Sequence, residues 1–208
     1  MSQTVPEKVR WTTSDLELLS NDEWKRYEII DGELFVTRAP HFKHQFVIRN
    51  IGNELQDWSE KTGLGEAIPA PGLVFTETDN VVPDLIWISV DRLDRFQDAA
   101  GHLTGAPELI VEVLSPGATN ERRDREAKLK LYSTQGVEEY WIVNRELQQV
   151  EVYRLENGIL RQVIIHSAQD EITSPLLPGF RCLVQRFFRQ VGSAREVATI
   201  RTNRFLQN

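Results

Sequence analysis

Glu112 is the residue hardest to reconcile with an inert core. It stands inside Leu-Ile-Val-Glu-Val-Leu, a nearly continuous apolar run over residues 108–115 that Pro116 stops. Such a run reads as a central strand buried on both faces. With the two-residue repeat of a strand, Glu112 shares a face with Ile110 and Leu114, while Leu109, Val111 and Val113 take the other. A carboxylate buried there must be ion-paired or must hold a cation, because burying it alone is very costly. Asp84 is a second acid of this kind, following Pro83 and opening the apolar stretch Leu-Ile-Trp-Ile-Ser. Taken alone it is a turn residue; two carboxylates on neighbouring strands, however, suit one hard, oxygen-seeking cation such as Mg²⁺ or Mn²⁺.

Lys128 stands four residues after Asp124 and four before Tyr132, so the three share one face of a helix. The spacing alone does not separate it from Lys130, since Arg122, Arg123 and Arg125 make a solvated, salt-bridged helix an equal reading. His44 falls in the first turn of a helix and Glu33 just after a turn. Neither spacing singles them out. The histidines (His41, His44, His102, His166) show no zinc-hydrolase pattern. No phosphate-cradling glycine motif and no serine-nucleophile elbow occurs. The single cysteine, Cys182, can form neither an intrachain disulfide nor a thiolate zinc site and reads as a small buried hydrophobe.

The elements that must position these groups read as follows. Residues 14–22 form a short helix capped by Ser14 in a polar leader covering residues 1–22. Asp31-Gly32 between β-rich runs is a hairpin turn. Val47, Ile51, Leu55 and Trp58 mark an amphipathic helix over residues 41–62, ended by Gly63. Residues 72–77 and 84–90 are strands with a turn at Asp79-Asn80 between them, and residues 91–106 are a loop or short helix. Strong helix formers fill residues 120–135, closed by Gly136, and residues 139–144 form the next strand. This strand–helix–strand unit implies a parallel crossover in a mixed sheet. Asn157-Gly158 centres a second hairpin, and residues 174–184 make a turn and a last short strand. The main domain covers residues 23–190, with a polar tail at 191–208. Trp87, Trp141 and Phe187 belong to the core or to a dimer face, the core being favoured.

The chain has 208 residues, enough for one domain with a substantial core. It carries 40% hydrophobic and 26% charged residues, with no apolar run long enough to span a membrane and no signal-peptide pattern at its start. This points to a cytoplasmic protein. The net charge of −7 argues against tight non-specific DNA binding through bulk charge. A local basic groove or a bound metal is compatible with it.

The ordered segments YEIIDGEL, VPDLIWIS, PELIVEVLSP and RDREAKLKLYSTQGVEEYWIVN resemble the Uma-type family of restriction endonucleases, in the PD-(D/E)xK nuclease superfamily. The resemblance spans about residues 10–190 and implies a restriction-endonuclease-like α/β fold: a mixed sheet flanked by helices, with an added antiparallel hairpin near the C-terminus. The superfamily's Pro-Asp step falls on Pro83-Asp84 and its second acid on Glu112. The standard lysine, two residues beyond that acid, is absent, since Leu114 stands there. The resemblance moves that role to Lys128 on the following helix. It also implies Mg²⁺ (or Mn²⁺) held by Asp84, Glu112 and the Val113 carbonyl, with Glu33 and His44 as auxiliary contacts. The implied function is cleavage of nucleic acid, DNA first, by a homodimer. A non-catalytic interaction module on the same fold, or a phosphodiesterase acting on RNA or small nucleotides, are the alternatives.

Overall fold

The computed structural model describes residues 9–19, 24–38 and 40–190; the expected tail and part of the leader lie outside them. The leader helix is one turn, α1 (Thr13–Leu16). Its cap is Thr12 rather than Ser14: the Asp15 carboxylate accepts from both the amide and the hydroxyl of Thr12. The first hairpin, β1 (Lys25–Ile30) and β2 (Glu33–Arg38), turns at Asp31 and Gly32. Both have positive φ, 49° and 72°, as the two-residue turn between right-twisted strands requires.

The long helix α2 (Phe42–Thr62) ends where Gly63 adopts the left-handed conformation. It buries Val47, Ile51, Leu55 and Trp58, the stripe read from the sequence. Next come β3 (Gly65–Pro69), β4 (Leu73–Thr76), β5 (Asp79–Val81), β6 (Leu85–Ser89) and α3 (Val90–Phe96). Asp79 and Asn80 therefore lie within a short strand, and the turn falls at Glu77-Thr78. The Asp79 side chain explains the difference, since it accepts from the Asp31 amide and the Thr76 hydroxyl and so ties strand to turn.

The central strand β7 (Leu109–Val113) is buried throughout. A continuous helical segment follows: α4 (Ala118–Arg122), a π turn (Arg123–Lys128) and α5 (Leu129–Gln135). It returns the chain to β8 (Glu139–Asn144), parallel to β7, in the crossover expected. The second hairpin, β9 (Gln149–Glu156) and β10 (Ile159–Ser167), turns at Asn157-Gly158. The short strands β11 (Glu171–Ile172) and β12 (Cys182–Leu183) pair near the C-terminus, before a 3₁₀ turn (Val184–Phe188).

The main sheet runs β10-β9-β8-β7-β6-β3, with β7–β8 parallel and the other pairs antiparallel. A second sheet runs β2-β1-β5-β4. One face of the main sheet, with Leu85, Val111 and Trp141, packs on α2, Phe180 and Phe187. The other, with Ile86, Ile110 and Ile142, packs on Leu131 and Tyr132 of α5 and reaches Ile30 and Val81 of the second sheet. Trp87, Trp141 and Phe187 are all core residues. Among the described residues no helix is long and apolar enough to cross a membrane.

Candidate active site

Alternation along β7 turns Glu112 toward the α4–α5 side, on the face shared by Ile110 and Leu114. Leu85 of β6 pairs with Val111, so continuing that antiparallel register by one residue sets Asp84 opposite Glu112. The two acids thus stand at one level of two neighbouring strands, and both are buried.

Lys128 reaches this level from the helix. Its ammonium donates to Glu112 Oε1 at 2.7 Å and lies 2.9 Å from Glu28 Oε1. The Tyr132 hydroxyl donates to the same Glu112 oxygen at 3.0 Å. Lys128 is only 1% exposed, whereas Lys130 is exposed, which separates two lysines that the sequence left equal. The π turn matters here. Its wider i→i+5 turn keeps residues four apart pointing in more nearly one direction than 3.6 residues per turn does, and such turns recur at functional sites. Asp124, Lys128 and Tyr132 accordingly all point inward and are buried.

Asp84 is held from several sides. Its Oδ2 accepts from the Val113 amide at 2.9 Å and lies 3.1 Å from His44 Nε2. Its Oδ1 lies 3.3 Å from Arg26 Nη1. His44 Nε2 is also 2.8 Å from the Val113 carbonyl, so one imidazole nitrogen faces both oxygens, and α2 is thereby pinned to the end of β7. Among the described residues, His44 Nδ1 and Asp124 Oδ2 are the buried side-chain polar atoms without a hydrogen-bond partner.

Glu33 is not part of this cluster. It opens β2 and lines a separate cavity with Asp31, Asp79 and Lys130. The acid that β1–β2 contributes is Glu28, 1% exposed, which accepts from the Val82 amide at 3.0 Å and faces Arg123 at 3.7 Å. Glu28, Arg26 and Arg123 are the site residues that sequence reading passed over. Glu28 precedes Ile29-Ile30 on a strand, a weak form of the buried-acid signal that marked Glu112. The arginines carry no such signal.

The charges divide unevenly. Burial would raise the Glu28 carboxyl, but the charges of Lys128 and Arg123 and the Lys128 and Val82 hydrogen bonds outweigh it, and Glu28 sits below its ordinary value. Asp84 likewise overcomes its burial through the His44 hydrogen bond and charge, the Lys128 charge and the Val113 amide, and is held at about 2. Glu112 goes the other way. Burial dominates, Lys128 opposes it, and the negative charges of Asp84, Asp124 and Glu28 add to it, pushing Glu112 up to about 8. One ammonium cannot neutralise two carboxylates, and Glu28 has the additional help of Arg123. Lys128 is raised despite burial because Glu112, Glu28 and Asp124 surround it. It therefore stays a cation near neutrality.

Asp84, Glu28, Val113, His44 and Arg123 line a cavity of about 380 Å³, whose walls include Arg38, His41, Ser115 and Asn120. Two register-matched carboxylates and a peptide carbonyl are the hard oxygen donors that Mg²⁺ and Mn²⁺ prefer. Buried acid in excess of the buried Lys128 and the half-buried Arg123, with an unpartnered Asp124 oxygen, also suits an added positive charge. The donor set fits such an ion. Among the described residues, no three His, Cys, Asp or Glu side chains stand ready around a single point, so the set depends on the carbonyl.

The architecture is a mixed α/β sheet flanked by helices, with buried acids on two neighbouring strands. The chain matches the model of the Uma2 family, "Putative restriction endonuclease", over residues 13–185, and belongs to that family. It also resembles the crystal structure of a protein from Anabaena variabilis, titled a "putative nuclease belonging to DUF820". The TM-score is 0.68 at 17% identity, covering 85% of this chain and 97% of that one. None of the curated proteins matches.

Proposed function

We propose that the protein is a Mg²⁺-dependent endonuclease that hydrolyses phosphodiester bonds of DNA at Asp84, Glu112 and Lys128. Membership of the Uma2 family supports nuclease action in general. The observation that carries the finer reading is the placement of Asp84 one residue beyond the Leu85–Val111 pair, held by the Val113 amide beside Glu112, with the buried Lys128 ammonium 2.7 Å from Glu112.

Asp84, Glu112 and the Val113 carbonyl would hold the ion, which when bound acidifies a water and takes up charge on phosphate oxygens. Asp84, ionised at every physiological pH, supplies permanent negative charge. His44 fixes Asp84 and the Val113 carbonyl relative to each other. Lys128, held as a cation by Glu28 and Glu112, cannot act as a base. It orients a water and stabilises the negative charge that grows at phosphorus. Arg26 and Arg123, in the cavity wall, meet the phosphate.

Supercoiled plasmid, linear duplex, single-stranded DNA and RNA, each with Mg²⁺, Mn²⁺ or EDTA, test this. Cutting that needs the metal and vanishes in Asp84→Asn and Glu112→Gln is the expected result. Full activity in a folded Glu112→Gln protein, or no cutting of any nucleic acid, would overturn it.

A non-catalytic module on the same fold is the second reading. It is favoured by the protein donors that already satisfy Asp84 and Glu112. Mn²⁺ titration separates the two: a scaffold whose ion pairs are purely structural takes up no ion at this site.

A further inference from the structure

The site is sunk below the surface. Asp84 is 5% exposed, Glu112 2% and Lys128 1%. Of the three, Asp84 lines the 380 Å³ cavity, which is walled by Arg26, Thr37 and Arg38 of the first hairpin and by Ser115, Pro116 and Asn120. That volume is in the range of about 300–1,000 Å³ that encloses a small molecule. A duplex is stiff, with a persistence length of about 50 nm, so bringing one of its nucleotides into the cavity costs bending or unstacking. A single strand rotates freely about its backbone and can deliver one nucleotide.

The rim offers what an unpaired base needs. His41 lines the cavity, and the Phe42 ring lies 4.4 Å from the His41 ring, tilted by 32°. Phe42 is 58% exposed, an unusual position for a phenylalanine, and Phe46 braces it edge-on at 5.6 Å. Guanidinium groups in a cavity, with an exposed aromatic ring reached through the His41 that lines it, are the ingredients that bind single strands through phosphate charge and base stacking. The net charge of −7 works in the same direction, since a duplex meets the repulsion over many phosphates at once.

We propose that the cavity takes one unpaired nucleotide of a single-stranded nucleic acid, its phosphate among Arg26, Arg38 and Arg123 and a base on the Phe42 ring. This inference rests on the nuclease reading and names the substrate form for that same site. Phe42 is solvent-facing, so Phe42→Ala spares the core. The measurement is fluorescence anisotropy of labelled single-stranded DNA, single-stranded RNA and blunt duplex of one sequence, with Glu112→Gln protein in Mg²⁺, with and without Phe42→Ala. Single strands should bind at least about tenfold more tightly than duplex, and Phe42→Ala should weaken only the single strands, by about tenfold, as loss of one stacked base does. A preference for RNA over DNA keeps the single-strand class and sets the sugar. Duplex bound as tightly as single strands, or single-strand affinity untouched by Phe42→Ala, overturns the inference. Plasmid cutting by the wild type under those outcomes leaves the nuclease reading standing, whereas single-strand binding with no cutting of any substrate defeats the nuclease reading alone.

Discussion

Glu112 and Lys128 touch each other, yet their removal should have unlike consequences. Lys128 is a cation shared by two buried carboxyls, so Lys128→Ala takes from Glu28 its nearest cation and leaves it to Arg123 at 3.7 Å. Breaking a buried pair in this way costs about 3–5 kcal/mol. Glu112, pushed up to about 8, already holds a proton for much of the time near neutrality, and glutamine imitates that form. At pH 7, urea melts should show a large loss for Lys128→Ala but a gain for Glu112→Gln, because the wild type must take up a proton on folding that glutamine does not need. Equal losses would mean that Glu112 is fully ionised in the fold. At this scale the sequence exposed only what broke a pattern. A glutamate between valines announces itself; Asp84 needed a partner and Lys128 needed the family resemblance to stand out from Lys130. Glu28 and Arg123 stayed hidden because the contacts that matter for them span tens of residues: Glu28 meets Val82, Arg123 and Lys128 only after the second sheet has packed on the first. Glu33, five residues from Glu28 on the facing strand, was the acid that the family resemblance matched to this segment.

Elements were legible where local chemistry decides them. Both Asx-Gly hairpins, the α2 stripe and the β7–helix–β8 crossover were of this kind. Strand β3 was not. Its sequence, Gly-Glu-Ala-Ile-Pro, has little strand propensity and holds its place as an edge strand through pairing with β6. The π turn was equally invisible, because it answers to the buried charges beneath it rather than to helix propensity. Gly65 shows how tertiary contact fixes β3. A Cβ there would overlap the Ile88 carbonyl oxygen and lie 2.6 Å from the Trp87 ring, both on the facing strand. Trp87 cannot step aside easily, since its indole N–H donates to Ser59 at 2.8 Å and its ring packs edge-on against Trp58. Gly65→Ala should therefore destabilise by about 1–3 kcal/mol, the usual range for overpacking. The same exchange at Gly101, where nothing lies within 4 Å, meets only the backbone strain of φ 85°, about 1–2 kcal/mol. Thermal melts of the two variants check the ranking, and a smaller loss at Gly65 would contradict the packing argument.

For the whole molecule, the site behaves as a reservoir of protons that stability must follow. Two groups set opposite slopes. Asp84 is held at about 2, below its ordinary 3.8, so its contribution is present above pH 4 and is lost as the pH falls toward 2. Glu112 is raised from 4.5 to about 8, chiefly by burial. Between those values the folded chain keeps a proton that the unfolded chain has released, so its contribution is full below pH 4.5 and declines as the pH rises through 8. Asp124, raised in the same sense, adds to that decline. In EDTA, Tm should therefore peak near pH 4.5 to 5 and fall on both sides, the alkaline fall running through the neutral range where most proteins are flat. Glu112→Gln has no such proton to lose, so its Tm should vary less between pH 5 and 8 and should exceed that of the wild type at pH 8. Differential scanning calorimetry over pH 3–9 decides it. A wild-type curve that rises from pH 5 to 8, or one with the same slope in Glu112→Gln, would mean that Lys128 compensates Glu112 completely and that the buried cluster carries no excess of negative charge.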